Sequence, residues 1–334
     1  MSVTQRRVSH QLPHMNFTFA GIPSRVVFGA GSLRDLNREL DALGAQRALV
    51  LSTPGRNELG QTISDEISGR SVGLYPHASM HVCIERVHDA RQEASHRAAD
   101  CLVAAGGGST TGLAKAIALQ LRLPILSIPT TYAGSEMTSI YGITEKGTKR
   151  TGKDPRILPR TVIYDPQLTV DLPLGVSVTS GMNAIAHAAE GLYAQNRNPL
   201  MELAAQEGIA AVSRAIPRLS RDCHDLTART NALYGAWLCG TVLGNTGMAV
   251  HHKLCHTLGG TFNLPHAEVH TVILPHALAF NASAAPNAMR KIATAIESES
   301  APRGIYDLAR ANGAPVSLEA IGMRHRDLAR AADL

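Results

Sequence analysis

The run CLVAAGGGSTTGLAKAIALQL, residues 101–121, reads as a buried strand, a glycine turn and a helix in immediate succession. Glycine at 106, 107 and 108 lets a ligand approach the main chain with no Cβ in the way, and the first amides of a helix together with its dipole attract an anion. Strand, glycine turn and helix start therefore predict a site for the pyrophosphate of a nucleotide, with Gly106, Gly107, Gly108 and Ser109 around it. The pattern is not the common GxGxxG fingerprint, and it lies late in its domain instead of after the first strand.

Outward from this run the same alternation continues. RVVFG (25–29), RALVLS (47–52), SVGLY (71–75), PILSIP (124–129) and RTVIYD (160–165) are short β-branched or apolar runs, separated by segments of helical spacing such as 32–44 and 83–100. The alternation predicts a parallel sheet with helices on both faces, and Gly44 and Gly69 are read as helix stops. A second polar turn, Pro129 to Glu136, leaves the next strand at the same expected edge, where the hydroxyls of Thr130 and Thr131 would meet phosphate or nicotinamide ribose. After Asp165-Pro166 the chain turns to long Ala- and Leu-rich segments, including 176–195 and 202–216, and the second half is expected to be helical. The division is thus a tail over 1–14, an α/β nucleotide-binding domain over 15–165 and a helical domain over 166–334, with a cleft between the two large parts.

Composition narrows the class. The 334 residues are 44% hydrophobic and 18% charged, the proportions of a globular protein. No run approaches the roughly 18 uninterrupted apolar residues of a membrane span, and no apolar stretch follows Arg6 and Arg7 as a secretory signal would require. The formal charge of +5 and pI near 9.1 arise from basic residues dispersed along the chain, with 4% aromatics, which argues against nucleic acid and fits a small anionic substrate. Five cysteines without a CxxC pair suit reduced thiols and a cytoplasmic setting.

Histidine is the other chemical signal. His187 follows Asn183 by four positions, and His251, His252, His256, His266, His270 and His276 fall within 26 residues, His252 and His256 again four apart. Residues four apart share a helix face, so two such pairs are placed to converge on one site. Trp237 and Met182 are read as packing.

GGGSTTGLAK (106–115), IPTTYAGSEMTSIYGIT (128–144), LPRTVIYDP (158–166), SGMNAIAHAAEGLYA (180–194) and HHKLCHTLGGTFNLPHAEVHTVILPHALAFN (251–281), in this order, resemble the maleylacetate reductases, a branch of the iron-containing alcohol dehydrogenase family. The resemblance runs from about Met15 to the end. It implies the dehydroquinate synthase-like fold of that family, an α/β nucleotide domain followed by an all-helical one, with NADH or NADPH in the cleft and a homodimeric assembly. It implies NAD(P)H-dependent reduction of the carbon–carbon double bond of maleylacetate, a small dicarboxylate, to 3-oxoadipate in aromatic catabolism. Metal-using members hold one divalent iron or zinc on an Asp and three His, and those positions fall on Asn183, His187, His252 and His266. Asn183 departs from the pattern, and Gly112 stands where many relatives carry Asp; the reductase branch resembles this chain at both. His256 is the leading proton donor under this reading, with His187, His252 and His266 shaping the same pocket. The strand 47–52 ends in Ser52-Thr53-Pro54, with no carboxylate to select the ribose 2′-hydroxyl, so use of either nicotinamide is expected. Lys149, Arg150, Lys153 and Lys253 are candidates, by location, for the substrate carboxylates. Relatives also continue past Leu334 into a terminal helix, whose loss would expose apolar surface. The competing readings are a metal-dependent alcohol or polyol dehydrogenase of the same fold and a catalytically silent nucleotide-binding protein.

Overall fold

The computed structural model describes residues 17–21, 24–145 and 148–333, so the expected tail over 1–14 lies outside the described residues. The first half alternates as the sequence predicts: β1 Arg25–Phe28, α1 Leu36–Leu43, β2 Ala48–Leu51, α2 Asn57–Glu66, β3 Ser71–Tyr75, α3 Ile84–His96, β4 Cys101–Gly106, α4 Gly108–Leu121 and β5 Ile125–Pro129. Strands β6 Ile140–Glu145 and β7 Thr148–Lys153 follow, and β8 Thr161–Tyr164 closes the series. Six strands form one parallel sheet in the order β1-β8-β5-β4-β2-β3. Both faces are dry. Along β2, Leu49 and Leu51 pack with α3 and α4, whereas Ala48 and Val50 pack with α1 and α2. That two-sided burial explains why these strands read as continuous apolar runs instead of alternating ones.

Two local readings change. Gly44 does end α1, in the left-handed conformation at φ 70°, but α2 stops at Glu66, and Gly69 lies in the turn that follows. The polar link that carries Lys149, Arg150 and Lys153 is the second strand of an antiparallel hairpin, β6 with β7. TKRTGK has no apolar alternation; across the ladder Tyr141 lies over Gly152, where a Cβ would meet the tyrosine hydroxyl oxygen at 2.5 Å.

The second half is helical: α5 Leu174–Gly191, α6 Pro199–Arg221, α7 Leu226–Asn245, α8 Val250–Phe262, α9 His266–Asn281, α10 Pro286–Ala295, α11 Ala301–Ala311 and α12 Leu328–Ala332. Helix α5 runs through the middle, enclosed by α6, α7 and α9, and every residue from Ser177 to Gly191 is buried. Its small residues permit this: a Cβ on Gly181 would come within 3.1 Å of Val212. Any polar side chain on α5 is consequently buried as well, and must find its partners inside the protein. Trp237 and Met182 pack in or against this core, as read from the sequence.

Candidate active site

The cofactor edge is built first from main chain. Gly106 pairs with Pro129 in the β4–β5 register, so the glycine turn and the turn after β5 leave the sheet at one level, and the Thr130 amide donates to the Gly106 carbonyl at 3.1 Å. Gly106 has φ 155°, and a Cβ there would collide with Thr110 Oγ1. A Cβ on Gly107 would come within 2.8 Å of the Thr131 side chain. Gly108, exposed, opens α4 with no side-chain cap on the amides of its first turn. Sheet order places β2 and β5 on either side of β4, so Ser52 and Thr53 flank the glycine turn on one side and Thr130 and Thr131 flank it on the other. Ser52 Oγ, Thr110 Oγ1 and Ser135 Oγ are buried at this edge without a protein partner. A carboxylate at Gly112 would have to displace Val82, whose Cγ2 lies 2.9 Å from the position of a Cβ.

The turn after β5 is pinned from several directions. Lys115, buried in α4, places Nζ 2.6 Å from Ser135 O, 2.9 Å from Thr138 Oγ1 and 3.0 Å from Ile140 O. Burial draws this ammonium down to about 7, against the pull of Glu136. Arg229 of α7, wholly buried, donates to Tyr132 Oη at 3.1 Å, to Ser177 Oγ at 2.7 Å and to the carbonyls of Val170, Leu172 and Cys223. Gly134, at φ 76°, abuts Gly240 of α7 so closely that a Cβ on Gly240 would lie 2.6 Å from the Gly134 carbonyl oxygen. Neither Lys115 nor Arg229 was singled out from the sequence. A lysine in the apolar run LAKAIALQL was a signal of the first; Arg229 left none.

Histidines converge on the other side of that turn. Helix α5 presents Asn183, His187 and Glu190 at spacings of four and three, one stripe; α8 presents His252 and His256 on one stripe and His251 and Cys255 on the next; α9 presents His266 and His270. His187 Nε2 lies 3.2 Å from the Ala133 carbonyl, which accepts only, so the proton is on Nε2. Burial, then the neighbouring imidazoles, hold His187 well below the usual range and therefore neutral, which leaves Nδ1 as an acceptor for His252 Nε2 at 2.8 Å. The far nitrogen of His252, Nδ1, stands 2.6 Å from Glu190 Oε2. Burial pushes the Glu190 carboxyl up, but the bond with His252 and the amides of Ala249 and His251 together bring it below the usual carboxylate range. The result is a continuous chain of contacts from Glu190 through His252 and His187 to the turn after β5.

His251 and His270 are fully buried, with His251 Nε2 2.9 Å from His270 Nδ1. His270 also lies against His266 and His252, with ring centroids 4.4 and 4.8 Å apart. His256 and His266 are only partly buried and stack at 6.0 Å, which makes them the open side of the cluster. The structure thus brings together the four histidines picked from the sequence, His187, His252, His256 and His266, and adds His251, His270 and Glu190. His276 is exposed on α9 and stands apart. Arg150, Lys153 and Lys253 are exposed, and the Lys149 side chain lies outside the described residues.

The family's metal positions were tested against this geometry. Asn183, His187, His252 and His266 supply no anion, and both nitrogens of His187 are engaged, one by His252 and one by Ala133. Asn183 Oδ1 is buried without a partner, a neutral acceptor where a metal site needs a carboxylate. The set as arranged does not fit a divalent ion.

Comparison with known proteins agrees across the chain. The family described as iron-containing alcohol dehydrogenase matches residues 23–166, and the C-terminal part of the Fe-containing alcohol dehydrogenase family matches residues 177–334. A maleylacetate reductase of Burkholderia cepacia is 60% identical over 318 residues, 95% of this chain and 90% of that protein; one of Pseudomonas aeruginosa is 54% identical over 320 residues, 96% and 91% of the two chains. The crystal structure of a maleylacetate reductase from Agrobacterium tumefaciens superposes with a TM-score of 0.91 at 48% identity, covering 96% of this chain and 91% of that one. With both halves matched in order and the fold shared throughout, this chain belongs to the iron-containing alcohol dehydrogenase family, among its maleylacetate reductases.

Proposed function

We propose that the protein reduces the carbon–carbon double bond of maleylacetate with NADH or NADPH, giving 3-oxoadipate. The observation that carries the reading is Asn183 facing a histidine cluster beside the nucleotide edge: the site has the family's hydride-transfer layout without the charged ligand set of a Lewis-acid alcohol dehydrogenase. Close relatives bear the name maleylacetate reductase, and the chemistry suits such a site.

A bound nicotinamide would supply a hydride to the carbon β to the ketone, with the electron pair of the double bond passing into an enolate of the substrate. Its charge is spread over carbon and oxygen, so N–H donors suffice where a localised alkoxide would call for a metal. A proton delivered to the α carbon completes the reduction. His256, with His266 on the open side of the cluster, is the donor in this reading. His187 and His252, locked by Ala133 and Glu190, hold the pocket's polar wall.

The parts divide accordingly. Residues 15–165 bind the nucleotide: pyrophosphate over Gly106, Gly107, Gly108 and Ser109, one ribose near Ser52, Thr53 and Pro54, the other near Thr130 and Thr131. Residues 166–334 carry the chemistry. The end of β2 supplies no carboxylate before Glu58, which favours acceptance of both nicotinamides.

The test is loss of NADH absorbance with maleylacetate, on enzyme as purified and on enzyme treated with a strong chelator. Equal turnover in the two supports conjugate reduction by histidine donors. Activity that disappears with chelator and returns with iron or zinc restores Lewis-acid catalysis at Asn183, His187, His252 and His266. No turnover in either sample removes the proposal and leaves a nucleotide binder.

A further inference from the structure

Beside the reaction site, and using none of its four family metal positions, lies a second group of donors. His251 and Cys255 sit four apart on α8 and face His270 of α9. Their ligand atoms all fall within 4.8 Å of one another, and all three residues are buried. His251 Nε2 is 2.9 Å from His270 Nδ1 and 3.6 Å from Cys255 Sγ. Tetrahedral zinc, with bonds of about 2.0–2.1 Å to nitrogen and about 2.3 Å to sulfur, separates two nitrogen ligands by about 3.3 Å and nitrogen from sulfur by about 3.5 Å. The His251–Cys255 separation already matches, the His251–His270 pair would open slightly, and the third separation, within 4.8 Å, would close onto the ion. His270 is under-satisfied here: beyond its contact with His251, its other nitrogen, Nε2, is buried with no hydrogen-bond partner.

We propose that His251, Cys255 and His270 form a site for a soft or borderline divalent cation such as zinc. Binding displaces the thiol proton to solvent. One thiolate then offsets one of the ion's two charges, an anion that the set around Asn183 lacks. With Nδ1 of His270 on the ion, its ring proton is fixed on Nε2. The ion acts as a structural clip between α8 and α9 and leaves the reacting carbon untouched.

The experiment loads chelator-treated protein with cobalt(II) chloride and reads the near-ultraviolet sulfur-to-cobalt charge-transfer band. The expected result is close to one cobalt per chain with that band present, the band abolished in Cys255→Ser, and the band kept in Cys239→Ser and in His266→Ala. Cadmium-113 resonance on the unmodified protein gives the same answer without a substitution: a shift in the range of a single thiolate ligand supports the site. The proposal is overturned if the unmodified protein takes up no cobalt, takes it up with a nitrogen- and oxygen-only spectrum, retains the band in Cys255→Ser, or loses it in His266→Ala, which would move the ion to the family positions.

Discussion

The two sides of the cleft are built from different materials. At the proposed nucleotide edge the groups on offer are amides, placed by one strand, three glycines and one helix that follow each other in sequence. On the opposite side they are imidazoles, carried by three helices and joined by bonds that span 54 to 65 residues of chain. A main-chain site survives many changes of side chain and is chemically inert. A side-chain site can move protons, but it must be held in register by everything around it and it places titratable groups in the core.

That contrast is sharpest in acid. His187, His251 and His270 are kept neutral chiefly by burial, with folded values well below the ordinary 6.5. The unfolded chain therefore binds more protons as pH falls below about 6.5, and the stability these groups confer above that value is lost on acidification, by up to about 4 kcal/mol per pH unit if all three titrate together. Denaturant midpoints measured from pH 7.5 to 5 should fall steeply below 6.5, and a flat profile would mean that the imidazoles are already solvated. Next in size is Lys115→Met, which leaves the oxygens of Ser135, Thr138 and Ile140 without their donor and is expected to cost about 3 kcal/mol in thermal or chemical unfolding. If it costs nothing, the nucleotide side does not depend on buried charge at all, and the contrast between the two sides widens. His256→Ala should lower turnover about 100-fold while cofactor affinity, read by fluorescence titration, stays within threefold. Turnover retained within about tenfold would remove His256 from proton delivery. Smallest is Gly107→Ala. The new methyl presses on Thr131, so the KM for NADH should rise about tenfold, with kcat and unfolding little altered.

The same contrast explains what could be read from sequence. All six strands of the main sheet and the glycine turn were legible because each is a contiguous pattern, and the i, i+4 pairs put His187, His252 and His256 forward, with His266 added by the family resemblance. Glu190 was quoted within its motif but assigned nothing, since its role exists only once α8 packs on α5. His251 and His270 were seen as members of a histidine run, yet their 2.9 Å contact depends on how α8 crosses α9. Lys115 and Arg229 escaped because a charged residue in an Ala-rich helix is ordinarily on the surface, and here both are enclosed. The β6–β7 hairpin escaped for want of an apolar alternation.

The turn from Thr130 to Thr138 belongs to both sides at once. Its threonines border the glycine loop, its Ala133 carbonyl sets the tautomer of His187, and Gly134 is seated against α7 with no room for a methyl group. A nucleotide that steadies this turn steadies the chain of histidine contacts in the same stroke. Thermodynamic linkage makes such an effect reciprocal: whatever factor the nicotinamide adds to the affinity for the dicarboxylate, the dicarboxylate must add to the affinity for the nicotinamide. If the two ligands bind as proposed, this one short stretch of backbone makes them cooperative partners.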